Sequence, residues 1–196
     1  IVQGTPSIDT KRVNTQVLCD NGDTIVLGGI FEQTTRTTIE KVPVLGDIAA
    51  GAGIRRIHIL AWRDLDDVEA GGSEVHAAEV ARLWSEAGLE VVMRTSYAQG
   101  HPPRATRDGY QVIRKAGRYL VFPRAAASEA AHRYGKRDAL VEIWNGMPFF
   151  SPLWASGPRV VFLHHIHAEM WKMVLPPNLA RLGDVLSSLY MASMVL

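Results

Sequence analysis

The sequence predicts an α/β protein, a parallel doubly wound sheet preceded by a small antiparallel β-hairpin segment. Three observations carry this. From Ile54 onward, β-rich runs alternate with helical or loop segments, the pattern that covers a parallel sheet on both faces. Before Ile48, two β-rich runs flank Asp20-Asn21-Gly22-Asp23, and Asn-Gly accepts the positive φ angles of a hairpin turn. The composition also changes between the two parts. All five Trp and all seven His follow residue 50, eight of the ten Thr precede it, and the net charge is −2 for residues 1–48 and +3 thereafter. The small residues Ala49-Ala50-Gly51-Ala52-Gly53 separate them, giving three units: 1–48, a linker at 49–53, and 54–196.

The elements follow in order. Thr15–Cys19 and Thr24–Leu27 form the hairpin arms, with Cys19 a small apolar strand residue, and Gly28-Gly29 break the second arm. TTRTTIEK is a polar strand suited to an exposed edge or a lumen wall. IRRIHILAW opens the parallel sheet, and the loop RDLDDVEAGG leads into SEVHAAEVARLWSEAG. There Ala77, Val80, Ala81 and Trp84 share a helical face, Ser73 is the expected N-cap and Gly88 the stop. LEVVMRTS and YQVIRKAG are strands. Pro123 is expected to begin an Ala-rich helix that Gly135 ends, and ALVEIW and PRVVFLH are further strands. In the tail, Leu179, Leu182, Leu186 and Leu189 lie on one helical face, expected to pack on the sheet or, if exposed, to drive self-association.

The totals exclude several classes. With 47% hydrophobic residues and near-zero mean hydropathy, the chain is globular rather than disordered. A net charge of +1 argues against nucleic acid as a main partner, and a lone cysteine permits no internal disulfide. No apolar run approaches the roughly 20 residues of a membrane-spanning helix. No signal peptide is visible, and the missing initiator Met places the expected N-terminus elsewhere. Neither the G-x-G-x-x-G dinucleotide fingerprint nor a P-loop is present.

In open α/β sheets, ligands bind at the carboxyl ends of the strands. After the first parallel strand comes Glu69-Ala70-Gly71-Gly72-Ser73-Glu74, a glycine pair feeding a helix N-terminus, where backbone N–H groups can receive a phosphate. The bland alternative is turn chemistry. After the last strand comes His164-His165-Ile166-His167. No carboxylate or cysteine stands at zinc-like spacing, so no metal is assigned. Neutral imidazole donates to one group and accepts from another, which suits a sugar or phosphate ligand as well as structural hydrogen bonding.

HILAWRDLDDVEAGGSEVHAAEVARLWSEAGLEVVMRT, EIWNGMPFFSPLW and VVFLHHIHAEMWKMVLPP resemble the N-terminal Rossmann-like domain of family-4 glycosyltransferases, over about residues 54–186. The resemblance implies the GT-B fold and retaining sugar transfer from a nucleotide-sugar substrate, without a cofactor, to a sugar or lipid-linked acceptor. It implies His164 or His165 as the catalytic candidates, Gly71, Gly72 and Ser73 near the donor phosphates, and Glu69, Trp144 and Asn145 toward acceptor hydroxyls. Arg63 and Asp64 would contact either ligand, unless they form a surface ion pair. The resulting expectation is an acceptor-side domain, inactive without its donor-binding half, in the cytoplasm or on the cytoplasmic face of the membrane.

A second resemblance covers residues 1–48. PSIDTKRVNTQVLCDNGDTIVLGGIFEQTT and KVPVLGDI are similar to the C-terminal part of type IV pilus secretins, the latter to the first half of their V-P-x-L-G-x-I-P-x-L-G signature. This implies a multimeric outer-membrane pore and a secretin oligomer as partner. Together the two resemblances suggest fragments joined at AAGAG. The transferase domain is the main expectation, and a fragment of a secretin, a protein transport pore, is the alternative.

Overall fold

The computed structural model describes residues 24–28, 53–165, 171–174 and 176–193. Its centre is a seven-stranded sheet. Six of these strands come from the segment after the linker: β2 (Arg56–Leu60), β3 (Glu90–Thr95), β4 (Arg104–Arg107), β5 (Tyr110–Arg114), β6 (Ala139–Asn145) and β7 (Arg159–His165). The chain starts centrally at β2, steps outward through β3 to β5, then crosses back to β6 and β7 on the other side. All pairings are parallel except β4 with β5. The five expected parallel strands are therefore present.

Strand β4 was not anticipated. Its RATR sequence is polar and half exposed, so it has no buried face to read. The usable signal was Asp108-Gly109, whose φ angles of 46° and 87° make a tight turn between β4 and β5.

The first part of the chain enters the same sheet. β1 (Thr24–Gly28) lies parallel to β7, with Val26 opposite Val161, and is the terminal strand of the described sheet. The sequence predicts an antiparallel partner for this run; the pairing described is with β7 and is parallel. The expected arm Thr15–Cys19, Cys19 itself and the TTRTTIEK strand lie outside the described residues.

Helices cover both faces. Helix α1 (Gly72–Glu86) buries Ala77, Val80, Ala81 and Trp84, as its spacing predicts, against Ile57, Ile59, Val91 and Met93. It starts earlier than expected, with Gly71 rather than Ser73 as N-cap, because Glu74 reaches back to accept from the Gly71 N–H at 2.8 Å. Gly88, at φ 88°, ends it as predicted. On the opposite face, α2 (Val121–Ala130) packs Val121, Phe122 and Ala125 against Leu60, Trp62 and Leu140. It begins two residues before Pro123 and ends before Gly135. That glycine instead holds φ 87°, where an added Cβ would lie 2.3 Å from the Arg56 guanidinium.

Beneath α2 lies a buried polar cluster. Glu129 accepts from Arg94 Nη1 at 2.8 Å and lies 2.9 Å from His58 Nδ1, tying the helix to β2 and β3. Burial alone pushes the Glu129 carboxyl up. His58 and Arg94 outweigh it, so its pKa lies below the usual value.

At the C-terminus, short helices α3 (Ser151–Trp154) and α4 (Trp171–Val174) precede α5 (Pro177–Ser193). The face that α5 buries carries Ala180, Ser187 and Tyr190, whereas Leu179, Leu182 and Leu189 are about half exposed. The leucine face is thus not the packed one. Tyr190 settles the orientation: its ring meets Trp144 edge-on at 4.7 Å and Phe150 at 5.3 Å. The fully buried Glu142 accepts from the backbone N–H groups of Phe149, at 2.6 Å, and Ser151, at 3.1 Å. Burial pushes its carboxyl up despite these bonds.

Candidate site at the carboxyl edge of the sheet

The strand order reverses between β2 and β6, the switch point whose crevice, outside the carboxyl ends of the strands, takes ligands in open α/β sheets. The loop after β2 is held from below. Arg114 of β5 donates through Nε and Nη2 to Asp64 Oδ2, at 2.8 and 2.6 Å, and both groups are buried. Arg114 and Arg107 also pair with Asp66, whose carboxyl is held below the ordinary range by the Arg107 hydrogen bond first. Asp64 is therefore neither a surface ion pair nor a ligand-facing group. Its carboxylate is committed to fixing the loop.

The other candidates converge on the crevice. Ser73, in the first turn of α1, donates to Glu74 Oε2 at 2.9 Å and accepts from Asn145 Nδ2 at 2.7 Å, joining α1 to the end of β6. One turn further, His76 Nδ1 lies 3.0 Å from His164 Nε2 at the end of β7. Burial lowers the pKa of both imidazoles, His164 lowers that of His76 further, and Glu74 opposes the shift at His164. Near neutral pH the pair is uncharged, one ring donating and the other accepting. Sequence reasoning missed His76, although its position one turn beyond the glycine pair was a usable signal.

Gly71 and Gly72 are exposed, and a Cβ on Gly72 would meet nothing within 4 Å, so this turn leaves open space. Glu69 accepts from Arg63 at 2.7 Å and Arg118 at 2.8 Å, and its carboxyl is lowered chiefly by the Arg118 hydrogen bond. Both arginines stack on Trp62, at 5.0 and 5.2 Å from the ring centroid. His165 is exposed at the strand end, and its carbonyl accepts from Gly146. Trp144 does not reach the edge: it is wholly buried, its indole N–H donating to the Gly146 carbonyl at 2.9 Å. Among the described residues, no group of three or more His, Cys, Asp or Glu could hold a metal ion. No described helix is long and apolar enough to cross a membrane.

Comparison with known proteins bears on the other end of the chain. Residues 2–50 match the secretin family, described as bacterial type II and III secretion system protein. Competence protein E of Haemophilus influenzae is 55% identical over 42 residues, covering 21% of this chain and 9% of that protein. The type IV pilus biogenesis and competence protein PilQ of Neisseria meningitidis is 51% identical over 41 residues, 21% of this chain and 5% of that protein. Secretin ExeD of Aeromonas hydrophila is 46% identical over 43 residues, 22% and 6% respectively. The N-terminal stretch is thus similar to secretins, and the match spans less than a tenth of each relative's length.

These similarities correct the main functional expectation. The family matched is a secretin family, the relatives are secretins and competence or pilus proteins, and none of it supports a glycosyltransferase. The reading as an acceptor-side transferase domain, with its nucleotide-sugar and acceptor, does not stand. The α/β alternation and the edge glycines that suggested it are features many unrelated proteins share.

Proposed function

We propose that residues 2–50 are a secretin segment and that the chain acts through it, by joining strands with a multimeric outer-membrane pore as the secretin resemblance implies. The similarity to type IV pilus secretins carries this reading. The position of β1 supports it, since among the described residues it is the terminal strand, the kind of edge at which strands add. In this proposal units 1–48, 49–53 and 54–196 form the chain's organisation, with β1 linking the first to the last. The parallel order β5-β3-β2-β6-β7 supports a Rossmann-like last unit. The test is co-expression of the tagged chain with a type IV pilus secretin, followed by detergent extraction and native electrophoresis. The expected result is the tag in the multimer band, lost with Val26→Pro. A tag absent from the multimer overturns the reading.

A second reading concerns the crevice, favoured by the convergence of Ser73 with Asn145 and His76 with His164. It is a site for a polar ligand, with Gly72 and Ser73 offering backbone N–H groups beside Gly71, whose own N–H is held by Glu74, and with Arg63, Glu69, Asn145, His164 and His165 around them. The reading calls for no resident cofactor. Titration with inorganic phosphate, followed by NMR of the His76 and His164 imidazoles, tests it. Unperturbed resonances at millimolar phosphate count against it.

A further inference from the structure

An apolar cavity opens at the carboxyl edge of the sheet. It measures about 290 Å³ and lies between the loops after β2 and β6 on one side and α4 and α5 on the other. Trp62, Tyr119, Met147, Trp171, Leu182 and Leu186 form most of its wall. Leu182 is 52% exposed and Tyr119 60%, a large apolar area to leave in water without an occupant. The size falls near the lower end of small-molecule pockets, roughly 300–1,000 Å³, and matches a medium-chain acyl group.

One charged feature says what that occupant is. At the rim, Arg118 and Arg63 stack on Trp62, the indole that also walls the cavity, and Arg118 precedes the wall residue Tyr119. Their anionic partner Glu69 is half exposed on a loop, a carboxylate that another acid can replace.

We propose that this cavity binds an amphipathic carboxylate, its apolar chain seated between Trp62 and α5 and its acidic head on Arg118 in place of Glu69. The proposal does not depend on the secretin reading or on the polar crevice. Calorimetric titration of the whole chain with decanoate and with decanol tests it. The expected result is saturable binding of decanoate, weakened by about tenfold or more in Arg118→Ala and tightened in Glu69→Gln, with decanol unaffected by either. Leu186→Trp, which fills the cavity, is expected to abolish binding of both. Circular dichroism of each variant shows whether it is folded, and Glu69→Gln, at an exposed position, supplies a readout if Leu186→Trp is not. Absence of saturable decanoate binding overturns the proposal, including the case in which the chain's own residues fill the cavity. Equal loss of decanol and decanoate in Arg118→Ala overturns the head-group assignment, and undiminished binding in folded Leu186→Trp overturns the site.

Discussion

Asn145, the last residue of β6, donates through Nδ2 to the Ser73 hydroxyl in the first turn of α1, at 2.7 Å. This bond closes the base of the crevice across the point where the sheet reverses its strand order. Ser73→Ala and Asn145→Ala are each expected to cost about 1 kcal/mol in urea unfolding. The double variant is expected to cost less than their sum, since the two side chains share one bond. Strict additivity would deny the coupling.

The His76–His164 pair sets a pH dependence. Both pKa values are lowered on folding from the ordinary 6.5, chiefly by burial. The unfolded chain therefore binds protons first as pH falls, so this stability is fully present above about 6.5 and is lost on acidification through the lower folded values. Unfolding free energy is expected to decline between pH 7.5 and 5. His164→Gln, which removes one of the two titrating rings, is expected to flatten the slope. An unchanged slope in this variant would assign the decline to other groups.

Glycines 72 and 135 are expected to respond oppositely to the same substitution. Gly135→Ala puts a side chain at a positive φ and displaces the end of the Arg56 side chain, and is expected to destabilise by about 1–2 kcal/mol. Gly72→Ala meets open space in the first turn of α1 and is expected to be neutral or to stabilise by up to about 1 kcal/mol. Thermal melting of the two variants side by side checks the contrast.

Removing Asp64 is expected to differ in kind from removing Glu69. Asp64→Asn leaves a fully buried Arg114 with only Asp66 as counter-charge, and is expected to cost about 3 kcal/mol. Glu69→Gln breaks only exposed pairs and is expected to leave the denaturation midpoint nearly unchanged.

The sequence made the α/β alternation legible because a parallel strand buried on both faces reads as a near-continuous apolar run, as in Val91–Met93 and Leu140–Ile143. It hid the charged residues inside such runs. His58, Arg94, Arg114 and Glu142 sit within strands and look like outward-facing positions, yet all are buried; the first three meet carboxylates distant in sequence, and Glu142 meets the backbone N–H groups of Phe149 and Ser151, which no local pattern reveals. Loop chemistry pointed to Ser73, Asn145 and His164, which meet partners at the sheet edge, while the burial of Asp64 and Trp144 depends on β5 and α5 and left no local signal. Helix α5 misled for a related reason. Its leucines outnumber its packed residues, and aromatic contact through Tyr190 decided which side faces inward.

The secretin-like stretch enters the α/β sheet through β1. Val26→Cys and Val161→Cys in a Cys19→Ser background test it most directly. These positions are register partners on adjacent strands, which lie about 4.8 Å apart, within disulfide reach. Oxidation at low protein concentration, followed by peptide mass spectrometry, is expected to show a disulfide within one chain. A pair that stays reduced, or that links only separate chains, would contradict the account.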